Sequence, residues 1–266
     1  MNKSLKELLS LKGKTAVVTG GAGYLGTAMS ETLAELGANL VIASRDKTKC
    51  EERCEEIVRL TGGAVQAVAL ELDLLKKDSA AEFFVQVHEH FEAIDILVNN
   101  AWSGNKNSWE SITEKDWEYD VNMSLNSVFR MTKAAFPDLK TTRGVILNIG
   151  SLYSHLGPDY RMYDGKEFAN PPSYGAAKAG VIQFTKYLAS FLAPYGIRVN
   201  ALSPGAFPHP PTQKHKEFME RLAAKNPMNR IGQPDDLKGA VALLCSAAGG
   251  YMTGQDIHVD GGWGVW

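Results

Sequence analysis

The chain has 266 residues, a mass of 29.0 kDa, 28 basic and 30 acidic side chains and a net charge of −2. Its lysines and arginines are scattered among acids, which leaves no basic face for nucleic acid, and no apolar run approaches the ~20 residues that cross a bilayer. The length suits one domain over 1–266, and the opening residues mix Leu5, Leu8, Leu9 and Leu11 with lysines instead of forming a signal-peptide core, so a cytoplasmic protein is expected.

The first predicted strand, Thr15 to Thr19, runs directly into Thr19-Gly20-Gly21-Ala22-Gly23-Tyr24-Leu25-Gly26. Met29, Leu33 and Leu36 then recur at helical spacing before Gly37. Strand, glycine turn and helix in that order suit a dinucleotide, because glycines let the backbone approach a pyrophosphate whose charge sits at the helix N-terminus. A second strand is expected over Asn39 to Ala43, ending in Ser44-Arg45-Asp46, with a charged helix over Lys47 to Leu60. Cys50 and Cys54 fall on that helix and Cys245 on a later apolar one. With no second Cys/His pair at suitable local spacing, neither a disulfide framework nor a metal site is expected.

Further strands are predicted over Val65 to Leu70, Ile94 to Asn99, Val145 to Ile149, Arg198 to Leu202 and Ile257 to Val259. Helices over Ser79 to Phe91, Glu114 to Phe136, Ser173 to Pro194 and Asp235 to Ala247 separate them. This alternation predicts an α/β fold: a Rossmann-type, doubly wound and mostly seven-stranded parallel sheet with helices on both faces. The irregular, proline-rich stretches Leu152 to Pro172 and Ala206 to Thr212 follow strands, where such sheets place their ligand crevice.

Tyr174 and Lys178 stand four apart on one predicted helix and therefore share a face, so an ammonium can sit beside a phenol oxygen. A positive charge there favours the phenolate and makes the tyrosine a usable proton donor and acceptor. Together with the glycine turn, Asp73-Leu74, Asn99-Asn100-Ala101, Asn122, Asn148-Ile149-Gly150-Ser151, Ile197-Arg198-Val199-Asn200, Ser203-Pro204-Gly205 and Thr253-Gly254-Gln255 with Val259-Asp260-Gly261-Gly262, the pair makes the chain resemble the short-chain dehydrogenase/reductase family from about Leu11 to Gly262.

The resemblance implies a catalytic set. Tyr174 would exchange a proton with the substrate oxygen, Lys178 would lower the Tyr174 pKa and bind the nicotinamide ribose, Ser151 would stabilise the substrate oxygen, and Asn122 would hold a relay water. It also implies cofactor contacts from Gly20, Gly23, Leu25 and Gly26 at the phosphate turn, Asp73 and Leu74 at adenine, Asn100 and Ala101 on the adenosine side, and Pro204, Gly205 and Phe207 around the nicotinamide. At the end of the second strand, Ser44 stands where an NAD-selecting acid is expected and Arg45 can pair with a 2′-phosphate, which favours NADP over the alternative NAD.

Four departures from the family pattern stand out. Tyr24 replaces a glycine common in the phosphate turn, Trp102 follows Asn99-Asn100-Ala101 where glycine is usual, and His209 stands where a threonine is common. Ser151 and Tyr174 are 23 positions apart, wider than is usual in the family. The extra segment carries Tyr153, Ser154, His155, Asp159, Tyr160, Arg161, Tyr163 and Asp164, donors and acceptors that suit a hydroxyl-rich or carboxylate-bearing substrate. Tyr153 and His155 are its best substrate contacts and Arg161 a further one for a carboxylate; the alternative is a flap that packs on a neighbouring subunit. The segment resembles sugar and sugar-acid oxidoreductases of the family, including gluconate 5-dehydrogenase-like members. Two other readings stay open: a 3-oxoacyl-type or general carbonyl reductase, and a cofactor-binding regulatory protein without chemistry. Val181, Phe184, Tyr187, Leu188 and Phe191 recur at helical spacing, and the resemblance implies a homotetramer or homodimer.

Overall fold

The computed structural model describes residues 2–163 and 170–265. A capping box between Ser4 and Glu7 starts the short helix α1 (Leu5–Leu9). Then come β1 (Thr15–Thr19), α2 (Tyr24–Glu35), β2 (Asn39–Ser44), α3 (Lys47–Leu60), β3 (Ala67–Glu71), α4 (Ser79–His88), β4 (Ile96–Asn99) and α5 (Glu114–Val121). A π-helical turn, Asn122–Asn126, joins α5 to α6 (Ser127–Thr142); β5 (Val145–Ile149), α7 (Pro172–Leu192), β6 (Arg198–Pro204), α8 (Lys216–Ala224), α9 (Lys238–Cys245) and β7 (Asp256–Val259) complete the fold.

The seven strands form one parallel sheet in the order β3-β2-β1-β4-β5-β6-β7. Strand side chains alternate between faces, and the two hydrophobic clusters follow that alternation. Val17, Val41, Leu97, Ile146 and Val199 pack beneath α4, α6 and α7, while Ala16, Val18, Leu40, Ile42, Val98 and Leu147 pack against α2, α3 and α9. The chain reverses direction across the sheet between β1 and β4, so their C-terminal ends open the crevice where such sheets bind ligands. Among the described residues no helix is long and apolar enough to cross a membrane.

The helix expected over Glu114 to Phe136 differs from the observed one at two places. The π-turn interrupts it at Asn122, and it then continues through Pro137 to Thr142. Pro137 is tolerated because it lies on the exposed side, where water can serve the carbonyl it leaves unpaired. The helix expected over Asp235 to Ala247 is shorter, with 3₁₀ turns at Pro234–Leu237 and Ala247–Gly249 on either side of α9. Helix α8 was not expected. It buries Phe218 and Leu222, one turn apart, against Leu152, Met162 and Trp263.

Candidate active site

A cleft of about 470 Å³ lies over the C-terminal ends of the strands. Its floor is the glycine turn. Gly20 has φ +64°, and a Cβ there would stand 2.9 Å from the Ala101 Cα; a Cβ on Gly26 would fall 2.1 Å from the Gly20 carbonyl oxygen. The Asn100 side chain fixes the turn by donating to the carbonyls of Thr19 at 2.9 Å and Gly20 at 3.0 Å. Helix α2 begins at Gly23 with no side-chain cap, so its first N–H groups face the cleft and can receive an anion. The cradle therefore fits a pyrophosphate. Tyr24 covers one side of it, its ring tilted against His209 with centroids 5.1 Å apart and its hydroxyl accepting from Gln213 at 3.0 Å.

Beside the turn, Ser44 bonds back onto the main chain of Asp46. Asp46 caps α3 through the Lys49 N–H and pairs with the Lys49 ammonium at 2.8 Å, so its charge is directed away from Arg45. Arg45 is exposed at the cleft edge, and among the described residues no hydrogen bond or ion pair holds it. Leu72 and Leu74 line the neighbouring wall. Asp73, between them, turns out of the lining; its carboxylate accepts the Leu75 N–H at 3.1 Å and its carbonyl the Ser79 hydroxyl at 2.6 Å.

Ser151, Tyr174 and Lys178 meet at the inner end. Ser151 is fixed by the 3₁₀ turn Leu152–Ser154, accepts the Tyr153 N–H at 3.2 Å and hydrogen-bonds the Tyr174 phenol. Trp102 packs edge-on against the Tyr174 ring at 5.1 Å. The buried Lys178 donates to the Ile149 carbonyl at 2.6 Å, with its Nζ 5.9 Å from the Tyr174 ring centre. Burial lowers the Lys178 pKa to about 8 and raises that of Tyr174, which the bond from Ser151 partly offsets. The expected depression of Tyr174 by Lys178 is thus not present in this geometry: the ammonium is directed to Ile149 and burial dominates. Asn122 does not line the cleft. Its Oδ1 accepts from Arg130 at 2.9 Å, and Met123 faces the cleft instead.

The segment after Ser151 divides. Tyr153 and Tyr163 line the cleft and share a hydrogen bond between hydroxyls at 2.8 Å. His155, expected at the substrate, stacks instead on His258 outside the lining, because the 3₁₀ turn carries it past the cleft toward β7. Arg161 is exposed and paired with Asp159 at 2.8 Å, and Asp159 also binds Lys225, just after α8, at 2.7 Å. Asp164 lies outside the described residues. Pro204, Gly205, Phe207, Leu25 and Ala101 also line the cleft. Phe218, Leu222 and Trp263 line it too, unforeseen because apolar residues announce no chemistry; the i, i+4 pair on α8 was the available signal. Lys106, also in the lining, likewise escaped the sequence reading.

A parallel sheet with an anion cradle at its switch point and a serine, tyrosine and lysine beyond it defines a dinucleotide-dependent oxidoreductase. The sequence family described as Enoyl-(Acyl carrier protein) reductase matches residues 21–264. The 2-dehydro-3-deoxy-D-gluconate 5-dehydrogenase of Escherichia coli is 35% identical over 259 residues, covering 96% of each chain. The 3-oxoacyl-(acyl-carrier-protein) reductase FabG of Aquifex aeolicus is 32% identical, covering 96% of this chain and 98% of its own. A solved gluconate 5-dehydrogenase from Burkholderia cenocepacia, in complex with NADP and tartrate, superposes with a TM-score of 0.88 at 28% identity, over 99% of this chain and 100% of that one. The chain belongs to the short-chain dehydrogenase/reductase family, whose members are oxidoreductases acting on alcohol and ketone groups.

Proposed function

We propose that this protein, acting as a single domain over 1–266, is an NADP-preferring oxidoreductase that interconverts a secondary alcohol and a ketone on a small, polar, sugar-derived molecule. The observation that carries this reading is that one cleft brings together Ser151, Tyr174, Tyr153 and Tyr163, the last two linked through their hydroxyls at 2.8 Å. Those two hydroxyls offer hydrogen bonds to a polyol where a purely apolar wall would reject one. The naming of sugar-acid dehydrogenases among the relatives supports the same class.

The bound nicotinamide supplies hydride exchange at the substrate carbon. Tyr174 donates or accepts the proton at the substrate oxygen, and Ser151 hydrogen-bonds that oxygen as charge develops. Lys178 would hold the nicotinamide ribose from its place beside Tyr174, where it now donates to the Ile149 carbonyl. Asn122 acts indirectly, through the π-turn that packs against α7, the helix that carries Tyr174 and Lys178. Gly20, Gly23, Leu25 and Gly26 hold the pyrophosphate; Leu74, with Asp73 behind it, and Asn100 and Ala101 border the adenosine. Pro204, Gly205 and Phe207 border the nicotinamide, and Arg45 with Ser44 selects the 2′-phosphate.

A 3-oxoacyl reductase is the second reading, favoured by the apolar wall of Phe218, Leu222 and Trp263. A panel of sugar acids, sugars and 3-oxoacyl thioesters, followed through absorbance of the reduced nicotinamide, separates the two. Turnover of polar hydroxy acids in preference to acyl thioesters is expected. The reverse order establishes the second reading, and tight NADPH binding with no turnover of any carbonyl establishes a regulatory protein. The working form is a homotetramer or homodimer in the cytoplasm; the assembly is supported by the aromatic rings of Phe129, Phe184, Tyr187 and Phe191, which pack in a row along α6 and α7 with three of the four exposed.

A further inference from the structure

Local spacing gives no metal site, but the fold joins residues about a hundred positions apart. Asp256 and His258 are two apart on the edge strand β7 and so project from the same face. His258 Nε2 lies 3.1 Å from one Asp256 oxygen, while the other accepts the hydroxyl of the buried Ser203 on β6 at 2.7 Å. The loop after β5 lays His155 over them, its ring stacked on His258 at 4.1 Å and 6° between planes. Among the described residues no hydrogen bond reaches the His155 ring, and one ligand atom from each of the three residues lies within 4.8 Å of the others. None of the three lines the cleft.

We propose that His155, Asp256 and His258 form a binding site for one zinc ion. Two imidazoles and one carboxylate are the donor set of a borderline cation such as zinc, whereas magnesium and calcium prefer oxygen alone. Partial burial of the ring, and then His258, lower the pKa of His155 against the opposing carboxylates of Asp256 and Asp260, the direction that favours the neutral ring a metal binds. Ser203 supplies the outer support that holds a ligating carboxylate in place. With metal–ligand bonds of about 2.0 to 2.2 Å, tetrahedral donors stand roughly 3.4 Å apart. For the ion to lie in both ring planes the two rings would rotate about their side-chain bonds, giving up the stack and the His258–Asp256 bond. The ion would then clamp the loop bearing Ser151 and Tyr153 to β7.

The test uses the full chain dialysed against a chelator and titrated with zinc chloride by calorimetry, with thermal unfolding alongside. One equivalent per chain and a rise in Tm are expected. His155→Ala and His258→Ala should each weaken binding at least tenfold, while His90→Ala, an exposed histidine elsewhere, leaves it unchanged. His155 is exposed, so its variant tests the site without disturbing the core, and circular dichroism checks the fold. Absence of zinc binding by the wild type, or unchanged affinity and stoichiometry in His155→Ala, overturns the proposal.

Discussion

Lys178 donates to the main-chain oxygen of Ile149 at 2.6 Å, from inside the protein. A buried ammonium whose pKa falls from 10.5 to about 8 is a stability cost retained for function. The unfolded chain keeps this proton up to about pH 10.5, whereas the folded chain releases it near pH 8. Between those values the unfolded state binds more protons, so stability from this group rises with pH. Urea unfolding of wild type and Lys178→Met should therefore show the difference moving in favour of wild type by roughly 2 to 3 kcal/mol from pH 8 to 10.5. A pH-independent difference contradicts the burial of the charge.

A second prediction concerns Asp120, a buried carboxylate two residues before Asn122. It accepts from the Ser173 hydroxyl at 2.5 Å and from the backbone and side chain of Asn105 at 3.0 and 2.6 Å. It thus ties the residue before Tyr174 to the loop that bears Trp102. Asp120→Ala leaves those donors unpaired and should lower stability by roughly 2 to 4 kcal/mol, read by denaturant unfolding, with Asp120→Asn milder. Loss of less than half a kcal/mol in the alanine variant would show that the tie is not structural.

Cofactor choice tests the second strand. Arg45→Ala should raise the Michaelis constant for NADPH roughly ten- to hundredfold, the range of a lost charge-assisted contact, while leaving that for NADH nearly unchanged. Ser44→Asp should shift preference toward NADH by repelling the 2′-phosphate. A wild type that already prefers NADH, with Arg45→Ala silent, removes the assignment.

The strands and the glycine cradle were legible because β-branched runs and glycine turns act locally: α3 and β5 fall where the spacing places them. Other features depend on partners distant in sequence. Asn122 carries the expected identity, yet Arg130 draws its side chain away from the cleft. Asp73 is spent on the turn before α4, where its carbonyl accepts from Ser79. His155 follows a 3₁₀ turn to meet His258, a neighbour that local spacing cannot reveal. Tyr153 was legible by its closeness to Ser151, but its partner Tyr163 emerged only once the segment folded back.

Assembly is tested at the exposed rings. Tyr187 and Phe191 are 59% and 56% exposed, stacked at 5.9 Å, and aromatic surface of that kind is costly to leave in water. Light scattering should show a mass two or four times 29.0 kDa, and Tyr187→Glu with Phe191→Glu should reduce it to the monomer. A wild-type monomer at micromolar concentration refutes the proposed assembly.

The central claim is that Tyr174 moves the proton in a reaction it performs with Ser151 beside it. Tyr174→Phe keeps the ring against Trp102 and removes only the hydroxyl. Steady-state turnover with NADPH and the preferred carbonyl, measured beside NADPH affinity by fluorescence, is the direct test. Turnover should fall about 10² to 10⁴-fold with cofactor affinity nearly unchanged; turnover above half the wild-type value would contradict the account.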